Sequence, residues 1–401
     1  MKYSKLSKTE RLRKRQFFQY NKQNYPSAAR LGEALLRAHA LHHSTDTDVY
    51  EDDLYNTALA CSHADRIDRA IELYSESIHL TFSRSGATLN VAVRLTNLAS
   101  LLSAYDHHEP ACRMFMQALT IRRQILPYNH LDLANALYNM GYALVRANRY
   151  RDAIPALNGA LHIYSGRKSD GHKRPDNLIN CLHTLAKAYE NLEEYEKACQ
   201  YAEAAFSGLT LADAEKYYQA GYYLAQLYEE AGRNTDACEL YFLVMGWVER
   251  TTGCLHSSYI NIGTKAAIVL VKLQDYHKAK ELLLRLYGLI DDMAGNDNLT
   301  YSNCARNLAV IHRQLEEWDQ AVDMIRESII IKRRIMGGHV REFVSDCLLL
   351  LDICVSSDRR DTAKEMLLSA FADIPEDDPA ILELLDEMGV ISGSISSTAP
   401  F

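Results

Sequence analysis

The chain has 401 residues, 48% hydrophobic and 24% charged, with only 18 Gly and 8 Pro; this suits a long helical chain with ample core and excludes a disordered one. Its formal charge of −8 argues against nucleic acid as the main partner. Its longest apolar stretches, such as Val344 with Cys347 to Leu351, stop far short of the roughly 18 residues a membrane span requires, so no membrane partner is expected.

The amino-terminal segment is polar, with Lys2, Lys5, Lys8, Arg11, Arg13, Lys14 and Arg15, and no apolar run follows that could serve as a secretory signal. A cytoplasmic location is expected. This basic segment also suits helix A of a first hairpin, with Phe17, Phe18 and Tyr20 on its apolar side and a solvated basic face opposite. From there an aromatic or apolar residue recurs three positions, one helical turn, before an alanine: Tyr25/Ala28, Ile67/Ala70, Tyr150/Ala153, Tyr195/Ala198, Tyr276/Ala279 and Trp318/Ala321. Ala111, Ala237 and Ala363 complete nine alanines at separations of 39 to 45 residues. A fixed period of this length is the mark of a repeat array.

Twelve residues before eight of these alanines stands a second position, small in seven cases: Ala58, Ala99, Gly141, Ala186, Ala225, Ala267, Ala309, then Leu351. Two helix axes can approach closely only where both side chains are small, so the pair defines the crossing of an antiparallel hairpin. Leu54, Leu95, Leu137 and Leu182 precede the small residue by one turn, and Tyr74, Phe115, Leu157, Tyr241, Leu283 and Ile325 follow the alanine by one turn; these stripes predict the core. The first hairpin departs from the pattern, with Gln16 and Phe17 where the small residue belongs. Pro26, Pro110 and Pro155 lie within two residues of their alanines, where the first turn of helix B is expected and Pro is tolerated. Ser165 to Pro175, with Gly166 and Gly171, reads as a loop between repeats.

The predicted organisation is therefore a degenerate hairpin over 1–47, eight repeats over 48–372, an amphipathic capping helix over 373–388, and a Ser-rich disordered tail over 389–401. The fold class is all-α: a right-handed superhelical solenoid of about nine antiparallel hairpins. This pattern resembles the tetratricopeptide repeat family, in its longer variant of about 42 residues found in kinesin light chains and many bacterial proteins. The resemblance covers roughly residues 10 to 372 and is strongest from Asn90 to Ile163. There TNLASLL and YNMGYAL echo the family's "NNLA.LY" helix A, and ALTIRRQILPYNH echoes its helix B with a His-containing loop. HEAT and armadillo repeats share the period, but paired small residues twelve apart favour the tetratricopeptide reading.

No nucleophile elbow, HExxH, Gly-rich phosphate loop or Cys/His signature occurs, so no enzyme activity and no cofactor is expected. The nine cysteines lack any CxxC pair and read as small reduced hydrophobes. His39 and His43 sit at i,i+4, but two ligands are too few for zinc, so a solvated helix end is expected and no metal.

The informative surface is the side of helix A that faces neither helix B nor its neighbours. Two residues before the small position stand Asn56, Asn97, Asn139 and Asn307, with Thr184, Tyr223, Lys265 and Leu349 as departures. Six before it stand Asn135, Asn180, Asn261 and Asn303, with Gln219 in line. Tyr55, Tyr138, Tyr142, His183, Tyr222, Arg306 and Arg313 share the face. Asn is a mediocre helix former, so its recurrence needs a reason. Either it bonds the next repeat or faces water, or its carboxamide clamps the backbone of an extended ligand. The resemblance implies the second, because peptide-binding tetratricopeptide proteins use Asn at the position of Asn56, Asn97, Asn139 and Asn307 to hold ligand main chain. Among 25 tyrosines, those on this face add rigid anchors.

The expected function is a protein-interaction scaffold that binds an extended peptide or partner segment. Two alternatives stand beside it: a receptor for a short signalling peptide without its own DNA-binding domain, and a structural assembly module. The sequence leaves the oligomeric state open.

Overall fold

The computed structural model describes residues 7–41, 47–166, 176–209, 214–295, 298–336 and 344–358. They form helices only, seventeen in number: α1 (Lys8–Asn21), α2 (Tyr25–Leu41), α3 (Asp48–His63), α4 (Ile67–Ser85), α5 (Leu89–Ala104), α6 (His108–Ile125), α7 (Leu131–Arg146), α8 (Tyr150–Ser165), α9 (Asp176–Glu190), α10 (Tyr195–Phe206), α11 (Ala214–Glu230), α12 (Asn234–Thr252), α13 (Ser257–Lys272), α14 (Tyr276–Ala294), α15 (Leu299–Gln314), α16 (Trp318–Met336) and α17 (Val344–Ser356). The all-α expectation holds. The chain divides into two compact units, Met1–Thr210 and Leu211–Phe401. The capping helix of 373–388, the tail of 389–401, Ala363, His42, His43 and most of the 165–175 loop lie outside the described residues.

Within each unit the odd-numbered helices from α1 to α15 each pair with the even-numbered helix after them, and each pair packs on the next; α17 packs on α16. The crossing residues explain why. Ala28, Ala70, Ala111, Ala153, Ala198, Ala237, Ala279 and Ala321 are all fully buried, as are Ala58, Ala99, Ala186, Ala225, Ala267 and Ala309 opposite them. Gly141 marks a close crossing, for a Cβ there would stand 2.5 Å from Cγ of Leu157 on α8. The flanking stripes close the core: Leu54, Leu95, Leu137 and Leu182 on the odd helices, and Tyr74, Phe115, Leu157, Tyr241, Leu283 and Ile325 on the even ones, are all buried.

The turn within each hairpin has one solution repeated nine times. Gln23, Asp65, Asp106, Asn148, Glu193, Gly232, Gln274, Glu316 and Asp358 all have positive φ, between 57° and 74°. Each lies five residues before its alanine, including Asp358 ahead of Ala363. The left-handed residue reverses the chain, and the amide after it returns to the helix it leaves, as Arg66 N does to Cys61 O and Asp275 N to Leu270 O, both at 2.9 Å. At the other end, side chains cap the odd helices: Ser7 and Glu10 form a reciprocal capping box on α1. His130 and His256 accept through Nδ1 from the amides of Asp132 and Ser258, a structural use for the His-containing loop.

Three details depart from the sequence reading. Pro155 lies in the sixth position of α8 rather than in its first turn, so α8 begins earlier than the proline suggested. Gln16 is buried, its Nε2 donating to Thr57 Oγ1 at 3.2 Å. The hairpin accommodates it because Gly32 stands opposite, where a Cβ would meet both side chains at 2.5 Å. His39 is not solvated but buried, with Nε2 2.8 Å from Asp53 Oδ2. Asp53 also takes a two-pronged bond from Arg13, both contacts at 2.6 Å, and so ties α1 and α2 to α3.

Buried polar junctions recur between hairpins. Arg94 is 4% exposed and reaches back to the Glu51 carbonyl at 2.7 Å, Asp52 at 2.6 Å and Ser77. In the second unit Asp346 is fully buried, accepting from Ser328 Oγ at 2.6 Å and facing Lys332 Nζ at 2.8 Å and Arg306 Nε at 2.9 Å. The cysteines are all free, and eight are buried. Burial pushes the Cys181, Cys304 and Cys347 thiols up to about 12, which makes them poor nucleophiles.

Candidate peptide-binding face

In the first unit, α5 and α7 are successive odd helices, and a cleft of about 370 Å³ opens beside them. Ser100, Ser103 and Ala104 of α5, Phe115 of α6, and Tyr138, Asn139, Tyr142 and Arg146 of α7 line it. The helical repeat explains the set, since positions 138, 139, 142 and 146 share one face. The close seating of Gly141 on Leu157 holds the opposite side of α7 against α8. Tyr138 and Tyr142 stand one turn apart with ring centroids at 6.2 Å, and Tyr142 is 42% exposed. Arg146 pairs with Asp106 at 3.2 Å on the rim.

A register rule governs which polar groups remain open. Tyr55, three residues before Ala58, lies 2.6 Å from Asn97 Nδ2, which donates to its phenol oxygen from the next hairpin. Tyr138, at the same register position one repeat beyond Thr96, bonds Thr184 on α9; burial pushes its phenol pKa up, and the Thr184 bond partly offsets this. Between them the corresponding residue is Thr96, whose hydroxyl is engaged with the Ala92 carbonyl at 2.8 Å and Arg122 at 3.0 Å. Asn139, opposite Thr96, therefore makes no side-chain hydrogen bond among the described residues, and it stands in the cleft wall.

The other predicted residues divide in the same way. Asn135 accepts from Tyr164 at 2.7 Å and Asn177 at 3.3 Å, joining three helices. Asn56 and Asn180 are exposed without a side-chain hydrogen bond among the described residues. His183 is exposed on α9; desolvation and the nearby Lys187 hold its imidazole below the ordinary value. In the second unit Tyr222 packs against Tyr241 at 5.8 Å and Tyr218 at 6.3 Å, and Tyr223 is half-buried. Asn261 and Asn303 are exposed and Asn307 half-buried, again without side-chain hydrogen bonds among the described residues. Arg306 and Arg313 bridge α15 to α17 through Asp346 and Asp352, at 2.9 and 2.6 Å.

Sequence reading did not place Ser100, Ser103, Phe115 or Arg146 on the open face, and assigned Phe115 to the core. Register could have found two of them, since Ser100 follows Ala99 as Tyr142 follows Gly141, and Arg146 is one turn beyond Tyr142. Among the described residues no three His, Cys, Asp or Glu side chains gather as a metal site, and no helix is long and apolar enough to cross a membrane.

Hairpins of two helices, crossing at paired small residues and stacked in order, define a helical-repeat solenoid. Models of the tetratricopeptide repeat match residues 91–132, 302–342 and 179–207, so the chain carries tetratricopeptide repeats over these segments. No curated protein sequence matches it significantly. Among solved structures, the apo form of RapI is similar over 92% of this chain and 99% of its own, at 12% identity and a TM-score of 0.52, a likeness of fold. A Podospora anserina kinesin light chain of nearly identical TPR-like repeats covers 52% of this chain and 98% of its own, at 16% identity and a TM-score of 0.45. The apo form of the quorum sensor NprR from B. thuringiensis covers 91% and 99%, at 14% identity and a TM-score of 0.45.

Proposed function

We propose that this protein is an interaction scaffold whose first unit holds an extended peptide on the open face of α3, α5, α7 and α9. The observation that carries this reading is the carboxamide of Asn139, without a hydrogen-bond partner among the described residues, in the wall of a cleft that also presents Tyr138 and Tyr142. A carboxamide can donate to a peptide carbonyl and accept from a peptide amide at once, so it reads main chain without regard to sequence. Asn180 on the next hairpin and Asn56 two hairpins before offer the same group. The exposed ring of Tyr142 supplies apolar area with few rotamers to freeze.

Selection from a displayed peptide library on the immobilised full chain tests this, followed by hydrogen exchange of the complex. Protection of α5 and α7 by the selected peptides supports the reading. Protection confined to other helices overturns it.

A further inference from the structure

We propose that α1 docks the protein on an anionic lipid surface. The helix is inverted relative to a packed repeat helix. Its buried residue is Gln16, while Phe17 and Phe18 are 68% and 54% exposed. Two adjacent large aromatic side chains exposed on one helix call for a cover.

The charges around them indicate which. Lys8, Arg11, Lys14, Arg15 and Lys22 are all exposed. At 100° per residue, Lys14, Phe18, Arg11, Lys22 and Arg15 occupy one continuous face, with Phe17 at its edge. Lys22 Nζ lies 4.6 Å from the Phe18 ring centroid. Lys8, Lys14 and Arg15 form no ion pair among the described residues. Helix α1 contains five cations and one acidic residue, whereas the chain as a whole is formally −8.

A convex helix that mixes exposed rings with cations needs no matching pocket when the partner is a soft interface. Rings enter the headgroup boundary while Lys and Arg stems extend to the phosphates. A protein partner would need its own groove shaped to two rings about 100° apart. The helix would lie on the membrane rather than span it. The acidic remainder does not oppose contact, because its field is screened within about 8 Å at physiological ionic strength.

The test is co-sedimentation of the full chain with phosphatidylcholine vesicles, with and without about 30% phosphatidylserine. Sedimentation only with the anionic vesicles, reduced at least tenfold both in Lys14→Glu/Arg15→Glu and in Phe17→Ser/Phe18→Ser at unchanged helicity, is the expected result. The altered side chains are exposed, so the fold survives their replacement. No sedimentation of the wild type, or equal sedimentation of either double variant, overturns the proposal. Binding to polyglutamate without binding to vesicles also overturns it and assigns the face to an acidic protein.

Discussion

The amide of Asn97 donates to the phenol oxygen of Tyr55 at 2.6 Å across the junction of two hairpins. The same register position two repeats later bonds Tyr138 to Thr184, and between them Thr96 takes the place of tyrosine and leaves Asn139 open. A ladder of like residues thus divides into rungs that hold the protein together, such as Asn97, and rungs left open, Asn139 among them. The difference lies in the residue of the preceding hairpin, not in the asparagine.

Replacing Tyr55 by Phe removes the acceptor from Asn97 but keeps the ring, which also packs on Tyr74 with centroids 6.0 Å apart. A lost hydrogen bond of this kind costs about 0.5–1.5 kcal/mol. Thermal melting of the variant should show a modest fall in midpoint with helicity unchanged. An unshifted midpoint would mean that the Asn97–Tyr55 bond contributes nothing to the junction.

Gly141→Ala places a methyl 2.5 Å from Leu157 Cγ in a fully packed crossing. The alanine gains about 1 kcal/mol of helix propensity, but overpacking costs about 1–3 kcal/mol. Net destabilisation in urea is expected. Combining it with Leu157→Ala should destabilise by less than the sum of the two single changes, because the new methyl fills part of the space left by leucine.

The left-handed turn residue offers a change of opposite sign. Gln274 holds φ 61° with a side chain attached, while Gly232 serves the same turn at φ 74°, where an added methyl would meet nothing within 4 Å. Gln274→Gly should therefore raise the melting midpoint by relieving about 1 kcal/mol of backbone strain, and Gly232→Ala should lower it by a similar amount.

His183 gives stability a pH dependence of predictable sign. Desolvation lowers its folded-state pKa, so below the unfolded value of about 6.5 the unfolded chain binds the proton first. Stability is then lost as pH falls through that value, and the loss is complete once pH is below the folded pKa. The fall in melting midpoint between neutral and mildly acidic buffer should be smaller in His183→Gln than in the wild type.

Much of the fold was legible because it rests on spacing. Nine alanines and their small partners fix the hairpins; the left-handed residue five positions before each alanine was found only in the structure. Pro155 misled because a proline after one full turn costs a single hydrogen bond that an otherwise well-packed helix can spare. His39 misled because its partner Asp53 is fourteen residues away on another helix. The open face was legible only as a row of candidates. Nothing in an asparagine's own position says whether the hairpin before it carries Tyr55 or Thr96, and the arginines at 306 and 313 meet acids of the next hairpin that no helical periodicity relates to them.

The most direct test of the account is the affinity of a library-selected peptide for the full chain and for the Asn139→Ala and Tyr142→Ala variants, measured by titration calorimetry. One main-chain clamp contributes about 1 kcal/mol, roughly fivefold in Kd, and a ring anchor about 2 kcal/mol, roughly thirtyfold. Weakening of that order in both variants, with melting midpoints unchanged, is the predicted result. Wild-type affinity in both would contradict it and remove the α5–α7 cleft from the binding surface.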